Sequence, residues 1–292
     1  MAKFPPMLVR VPASTSNLGA GFDCLGLALD LWLEAKLVPG AGGPRYTGTL
    51  AGFDPAHDLI LRALAAGPLR THRLVVHSDI PVGKGLGSSA AAAVAAAALS
   101  QLAAREPPDF DRVYRAAAEA EGHPDNAAPA VYGGLVLAAH RPVRLTLRAG
   151  LAAAFAVPDR GVDTRTARRL VPTEVDRSVV IAQAARAAAL VHGLTTGNGE
   201  LITFGMDDRL AVPRRKQLIG GYEAGVRAGM EAGAFGVTIS GAGSALLAIA
   251  PKARSRAVAK AMAEALTRAG NPALGMTPAV SKKGLTVLGA RR

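Results

Sequence analysis

Cysteine occurs once in the 292 residues, as Cys24. One thiol excludes an internal disulfide and a thiolate metal cluster, and it fits a reducing cytoplasm. Aromatic residues make up only 4% of the chain. That leaves few rings for stacking nucleic-acid bases, and no dense basic run makes up for them. No apolar stretch reaches the roughly 18 residues that span a bilayer. Ala90–Leu99 comes nearest, but it is short and alanine is weakly apolar. The opening MAKFPPMLVRVPAS lacks the apolar region of a signal peptide. HExxH and paired His/Cys spacings are missing, so a transition-metal site has no support. These absences predict a soluble, cytoplasmic protein with no membrane and no nucleic-acid partner.

Half of the residues are apolar and 19% are charged, the balance of a folded chain rather than a disordered one. Its length suggests one or two domains. The formal charge of +12 comes mostly from arginines scattered between Arg10 and Arg292. Such a surface attracts nucleic acid, anionic membranes or anionic small molecules, and a genome-wide composition bias accounts for it equally well.

The stretch PVGKGLGSSAAAAVAAAA, Pro81–Ala98, organises the rest. Gly83, Gly85 and Gly87 allow sharp turns and close approach of backbone to a ligand. Ser88 or Ser89 is expected to cap a helix, and the alanine run is strongly helix-prone. A strand over Arg73–Ser78 leads in. A glycine-rich loop opening onto a helix N-terminus is an anion site, most often for phosphate. No G-x-x-x-x-G-K-[ST] can be written across it. A flexible loop before a buried alanine helix is the competing reading.

Elsewhere the pattern predicts strands over Met7–Val11, Leu25–Val38, Leu135–Ala139, Val143–Leu147, Leu151–Val157, Phe235–Ser240, Ser244–Ala250 and Leu285–Leu288. It predicts helices over His57–Ala66, Phe110–Glu121 with Asp109 as cap, Thr164–Leu170, Val175–Leu190, Pro213–Ala232 and Lys252–Ala269. Gly40–Pro44 reads as a turn. Ala13–Asp23, ASTSNLGAGFD, carries so many hydrogen-bonding groups that it is expected outside the core. The balance is α+β, in two lobes meeting near residue 155.

Four polar or glycine-rich clusters stand apart: Ser14–Asp23, Gly83–Ser89, Glu121–Asn126 and Ser240–Ser244. Together they suggest a nucleotide site beside a polar small-molecule site. Phosphoryl transfer needs a phosphate cradle, magnesium ligands, cationic compensation and a positioned hydroxyl. Glu121 with Ser88 or Ser89 offers the hard oxygens that magnesium takes. A solvated carboxylate is the alternative for Glu121, although at a helix C-terminus it opposes the dipole. His123 beside Asp125 reads as acid/base apparatus or as a plain hydrogen-bonding histidine.

In this order the clusters resemble the galactokinase, homoserine kinase, mevalonate kinase and phosphomevalonate kinase (GHMP) superfamily, and within it the homoserine kinases. The motif P-x-x-x-G-L-G-S-S-A is matched by Pro81, Gly85, Leu86, Gly87, Ser88, Ser89 and Ala90. VPASTSNLGAGFDCLGLAL (Val11–Leu29) is similar to the first motif, and SGAGSA (Ser240–Ala245) to the third. GHPDNAAPAVYGG (Gly122–Gly134) is similar to the segment before the domain junction. The resemblance implies an N-terminal ATP-binding lobe like domain 2 of ribosomal protein S5, residues 1–155. It implies a ferredoxin-like C-terminal lobe, 156–292, that completes the substrate site.

The implied activity is ATP-dependent phosphorylation of the side-chain hydroxyl of L-homoserine, on the route to threonine, with ATP and Mg²⁺, by a homodimer. Carried over position by position, Pro81, Gly83, Lys84, Gly85, Leu86, Gly87, Ser88, Ser89 and Ala90 surround the nucleotide, with Asp58 near the adenine. Glu121 with Ser88 or Ser89 holds the metal. Asn17, Asp23, His123, Asn126, Thr164, Arg168, Arg215 and Gly241 surround the amino acid, Asp23 facing its ammonium and an arginine its carboxylate. Asn126, Glu121 and Lys84 are the expected catalytic groups.

Four positions depart from the family pattern: Asp58 where many relatives have Asn, Ala211-Val212 for His-Glu, and Ser244 for a common proline. A sister kinase with another hydroxyl acceptor, a basic RNA-binding protein on the S5-like lobe and a catalytically dead homologue are the rival readings.

Overall fold

The computed structural model of the protein describes residues 7–40, 42–64 and 71–288. Its spine is an antiparallel pair, β1 (Met7–Asn17) and β2 (Gly21–Pro39). Early in β1, Val9 and Val11 are fully buried while Leu8 and Arg10 are partly exposed, the period-two signature of a half-covered strand. From Ala13 to Ser16 the alternation stops and every residue is buried. The expectation of an exposed polar segment over Ala13–Asp23 is therefore overturned. Its hydroxyls and amides have partners inside the protein, which removes the cost of burying them.

The first sheet adds β3 (Arg45–Gly48), β4 (His72–Ser78), β5 (Leu135–Ala138) and β6 (Pro142–Leu145). A short last strand, β11 (Thr286–Leu288), pairs with the outer edge of β1. The order is β11-β1-β2-β4-β3, with β5 on β2 and β6 on β5. Among the described strands of this sheet β3 alone runs parallel to its neighbour; the sequence reading ends its turn at Pro44 and assigns no strand to the residues that follow. α1 (Leu59–Leu64) fills part of the helix expected over His57–Ala66, whose residues 65 and 66 lie outside the described residues. α2 (Ser88–Ala103), α3 (Phe110–Glu121) and α4 (Ala127–Tyr132) follow. α2 is alanine-rich because it lies against β1 and α3, where larger side chains would hold the elements apart. Asp109 caps α3 as expected, accepting from the Asp111 and Arg112 amides.

The second sheet is antiparallel, with β7 (Leu151–Pro158), β8 (Gly236–Ile239), β9 (Leu246–Pro251) and β10 (Ala273–Met276) in the order β10-β7-β9-β8. With α10 (Ser255–Arg268) between β9 and β10 this is the ferredoxin-like βαββαβ arrangement. The first crossover holds α5 (Thr164–Arg169), α6 (Arg177–Thr196), α7 (Gly199–Met206), α8 (Val212–Arg215) and α9 (Tyr222–Glu231). Alternate residues of β7 and β9 serve two cores. Ala153, Phe155, Leu247 and Ile249 join the large core with β1, β2 and α2, while Ala154, Ala156, Leu246 and Ala248 face α10.

The expected junction at 155/156 falls inside β7. The change of sheet comes between β6 and β7, and the chain returns to the first sheet through the Leu29–Val280 bridge and β11.

Candidate active site

A cleft of about 240 Å³ opens where β1, the loop before α2, the start of α4, α5 and the Ser240–Ser244 loop converge. A larger hollow beside α10, about 610 Å³, is lined by charged side chains and alanines and draws on one region of the chain.

The phosphate-type loop forms the cleft's floor. Gly87 precedes α2 in the left-handed region, φ 72°, and no side chain among the described residues caps the helix. The expectation that Ser88 or Ser89 is the N-cap is corrected: both are helical, and a Cβ at Gly87 would sit 2.2 Å from Ser14 Oγ. Gly85, φ 78°, is pressed on from the other lobe, 2.1 Å separating its would-be Cβ from the Ser240 carbonyl oxygen. The N–H groups of Gly85 and Gly87 donate to no acceptor among the described residues. With the unpaired first turn of α2 they leave donors facing the cleft, which fits a phosphate.

Glu121, at the end of α3, accepts from Ser89 Oγ at 2.6 Å, and both line the cleft with Ser88. Ser88 Oγ instead turns back to the Gly83 amide, 3.4 Å away. A carboxylate touching a hydroxyl beside a phosphate cradle has the hard-oxygen chemistry that magnesium takes.

Asp23 and Arg168 meet in two hydrogen bonds, 2.8 and 3.1 Å, each side chain about one-third exposed (34% for both). Asn17 holds this corner: its Oδ1 accepts from the Asp23 amide at 3.0 Å and its Nδ2 donates to the Gly241 carbonyl at 3.0 Å. Both Asn17 (φ 70°) and Asp23 (φ 54°) lie in the left-handed region, where backbone strain concentrates at ligand-binding positions. Arg215 is buried, donates to the Ala167 and Gly241 carbonyls and stacks over Phe22, with 5.1 Å to the ring centroid. Burial, with the like charge of Arg168, lowers its pKa. Sequence reasoning missed the residue that places it. Asp208 gathers the Leu210, Ala211 and Val212 amides at 2.6–3.1 Å and so starts α8, where the family's His-Glu is absent.

His123 Nδ1 and Asp125 Oδ1 are 2.5 Å apart and nearly buried. Burial pushes the His123 pKa down, but the hydrogen bond and charge of Asp125 outweigh it, and the net shift is upward. Asn126 is gripped by Ser14 and Ser16, both at 2.9 Å, residues that the exposed-loop expectation hid. Thr164 and Gly241 also line the cleft.

Several expected nucleotide residues do not line the cleft. Asp58 is buried, its carboxylate accepting from Tyr46 Oη (2.6 Å) and the Ile60 amide (2.7 Å), so it serves the start of α1. The Lys84 ammonium donates to the Asp159 carbonyl, directed at the segment after β7. Burial lowers its pKa, against a smaller opposing pull from Asp159. Leu86 and Ala90 are core residues, and Pro81 also lies outside the lining.

Comparison with known proteins follows the same lines. The GHMP kinases N terminal domain family matches residues 55–134, and the GHMP kinases C terminal family matches 187–268. A homoserine kinase of Synechococcus sp. is 40% identical over 87% of this chain and 89% of the relative. The chain belongs to the homoserine kinase family of GHMP kinases. Among solved homoserine kinases, that of Cytophaga hutchinsonii superposes with a TM-score of 0.81 at 28% identity, covering 99% of this chain and 98% of that one. A putative homoserine kinase of Listeria monocytogenes gives 0.76 at 30% identity, with 98% and 100% coverage. The kinase family uses ATP and a small-molecule acceptor, and the free amides of Gly85 and Gly87 suit the first of these.

Proposed function

We propose that this chain transfers the γ-phosphoryl group of ATP to the side-chain hydroxyl of L-homoserine. The observation that carries the reading is the pairing of opposite charges, Asp23 and Arg168, a short way from a glycine-rich anion cradle. A zwitterionic amino acid has one end for each member of that pair. A partly exposed ion pair contributes only about 1 kcal/mol or less, so a ligand that offers both charges replaces it at small cost. The Arg168 fork matches a carboxylate in two hydrogen bonds, and buried Arg215 adds positive potential behind it.

Glu121 and Ser89 are the proposed Mg²⁺ ligands; bound there, the cation would offset charge on the transferring phosphate. Asn126 is proposed to face the acceptor hydroxyl. An amide does not deprotonate it, and a loose phosphoryl-transfer transition state asks for positioning more than for a base. Asp125 is occupied by His123, which supports the same view. Lys84 is proposed to hold the loop to Asp159 rather than to act on the phosphate. We also propose a cytoplasmic homodimer: α6 leaves Val180 (53%) and Ile181 (63%) exposed, an apolar face that a second copy would cover.

A coupled ADP-release assay with L-homoserine, L-serine and mevalonate side by side tests the reading. Turnover is expected with L-homoserine by a wide margin; preference for mevalonate would move the chain to a sister activity.

A further inference from the structure

Strand β1 does more than line the cleft. Ser14 Oγ donates to Asn126 Oδ1 at 2.9 Å, and Asn126 Nδ2 donates to Ser16 Oγ at 2.9 Å. Between them Thr15 points the other way. Its hydroxyl reaches Ser240 Oγ at 2.8 Å, and Ser240 passes its own proton to the Gly85 carbonyl at 2.6 Å. Strand alternation thus divides the work: one face braces the phosphate loop, the other grips the carboxamide.

The direction of the grip follows from proton accounting. Ser14 is 0% exposed and outside the cleft lining, and Asn126 Oδ1 is the one side-chain acceptor it has among the described residues. A buried hydroxyl keeps its proton on a partner. The amide oxygen therefore turns to Ser14 and the nitrogen to Ser16. Two protons are left without an acceptor among the described residues, the second on Asn126 Nδ2 and the one on Ser16 Oγ. Asn126 and Ser16 both line the cleft.

We propose that Ser14 is a positioning residue: by orienting the Asn126 amide it makes Asn126 and Ser16 a pair of hydrogen-bond donors facing the site of phosphoryl transfer. This rests on the kinase reading above. Two fixed donors hold an acceptor hydroxyl by its lone pairs in the line of transfer, and an amide turned round would present its own oxygen there instead. Ser14 is buried outside the cleft lining, so its effect on the cleft passes through Asn126.

The test is steady-state kinetics with ATP and L-homoserine on the wild type, Ser14→Ala, Asn126→Ala and the double variant, with thermal melts as a check on folding. Ser14→Ala is expected to lower kcat about tenfold while both KM values stay within about twofold. In the Asn126→Ala background the same change is expected to cost nothing beyond about twofold, because the group it acts through is gone. An equal loss in both backgrounds, or an unchanged kcat for Ser14→Ala, overturns the role. Ser14→Cys keeps the volume with a weaker donor and is expected to give an intermediate kcat even where the alanine variant melts early; a wild-type kcat there also counts against it. Asn126→Asp keeps the shape but accepts from both serines and offers the cleft no donor. A wild-type rate in that variant defeats the donor assignment. A wild type that releases no ADP with any hydroxylated acceptor removes the kinase reading and this role together, whereas an active wild type with an indifferent Ser14 removes the role alone.

Discussion

Asp23 and Arg168 tie the first sheet to the crossover helix after β7 through a two-pronged ion pair, Asp23 from β2 and Arg168 from α5. The pair neutralises in advance the two groups that a zwitterionic acceptor would engage. Arg168→Lys keeps the charge and loses the fork, so the homoserine KM is expected to rise about tenfold with kcat within about threefold. An unchanged KM would remove Arg168 from the proposed carboxylate site.

Asn126→Ala is expected to lower kcat about a hundredfold or more, while Asp125→Asn keeps substantial activity. Asp125 is 1% exposed and already bound to His123, so it is poorly placed to take a proton from substrate. If Asp125→Asn alone abolished turnover and flattened the pH–rate profile, the base-free mechanism would be wrong.

The His123–Asp125 pair has a pH signature of its own. Burial lowers the His123 pKa, Asp125 raises it by more, and the folded value ends above the unfolded one. A raised folded pKa gives stability that is complete below about pH 6.5 and fades as pH climbs through the raised value. Asp125→Asn leaves burial and the Arg168 charge to lower the His123 pKa against the weaker opposing charge of Glu121, so the ring is expected to titrate at lower pH and melts to lose this dependence. NMR titration of the histidine C–H signals checks it; an unmoved His123 curve would contradict the coupling.

Glu121→Gln keeps the Ser89 contact and loses the negative charge. The Mg²⁺ concentration giving half-maximal rate is expected to rise about tenfold or more, with the thermal midpoint nearly unchanged. A metal requirement equal to that of the wild type would take Glu121 out of the proposed metal site.

Gly85→Ala adds a methyl that would lie 2.1 Å from the Ser240 carbonyl oxygen, at a φ of 78°. The two glycine loops are then forced apart, and ATP affinity measured by calorimetry is expected to fall about tenfold or more. Affinity within about twofold of the wild type would show that the loops need not touch.

Local sequence determined much of this molecule. Gly85–Ser89 and the alanine run write the loop and α2 directly, Asp109 writes the cap of α3, and β7 and α10 follow from their apolar spacing, because each depends on near neighbours in the chain. Only the tertiary structure decided that Ser14, Thr15 and Ser16 are core, since their partners Asn126 and Ser240 lie 112 and 225 residues away from Ser14 and Thr15. It also decided that Lys84 and Asp58 turn away from the cleft, and that Asp23 faces Arg168 across 145 residues. A polar side chain reads as exposed until its hydrogen-bond partner is known, and that partner is a property of the packed fold rather than of the neighbouring sequence.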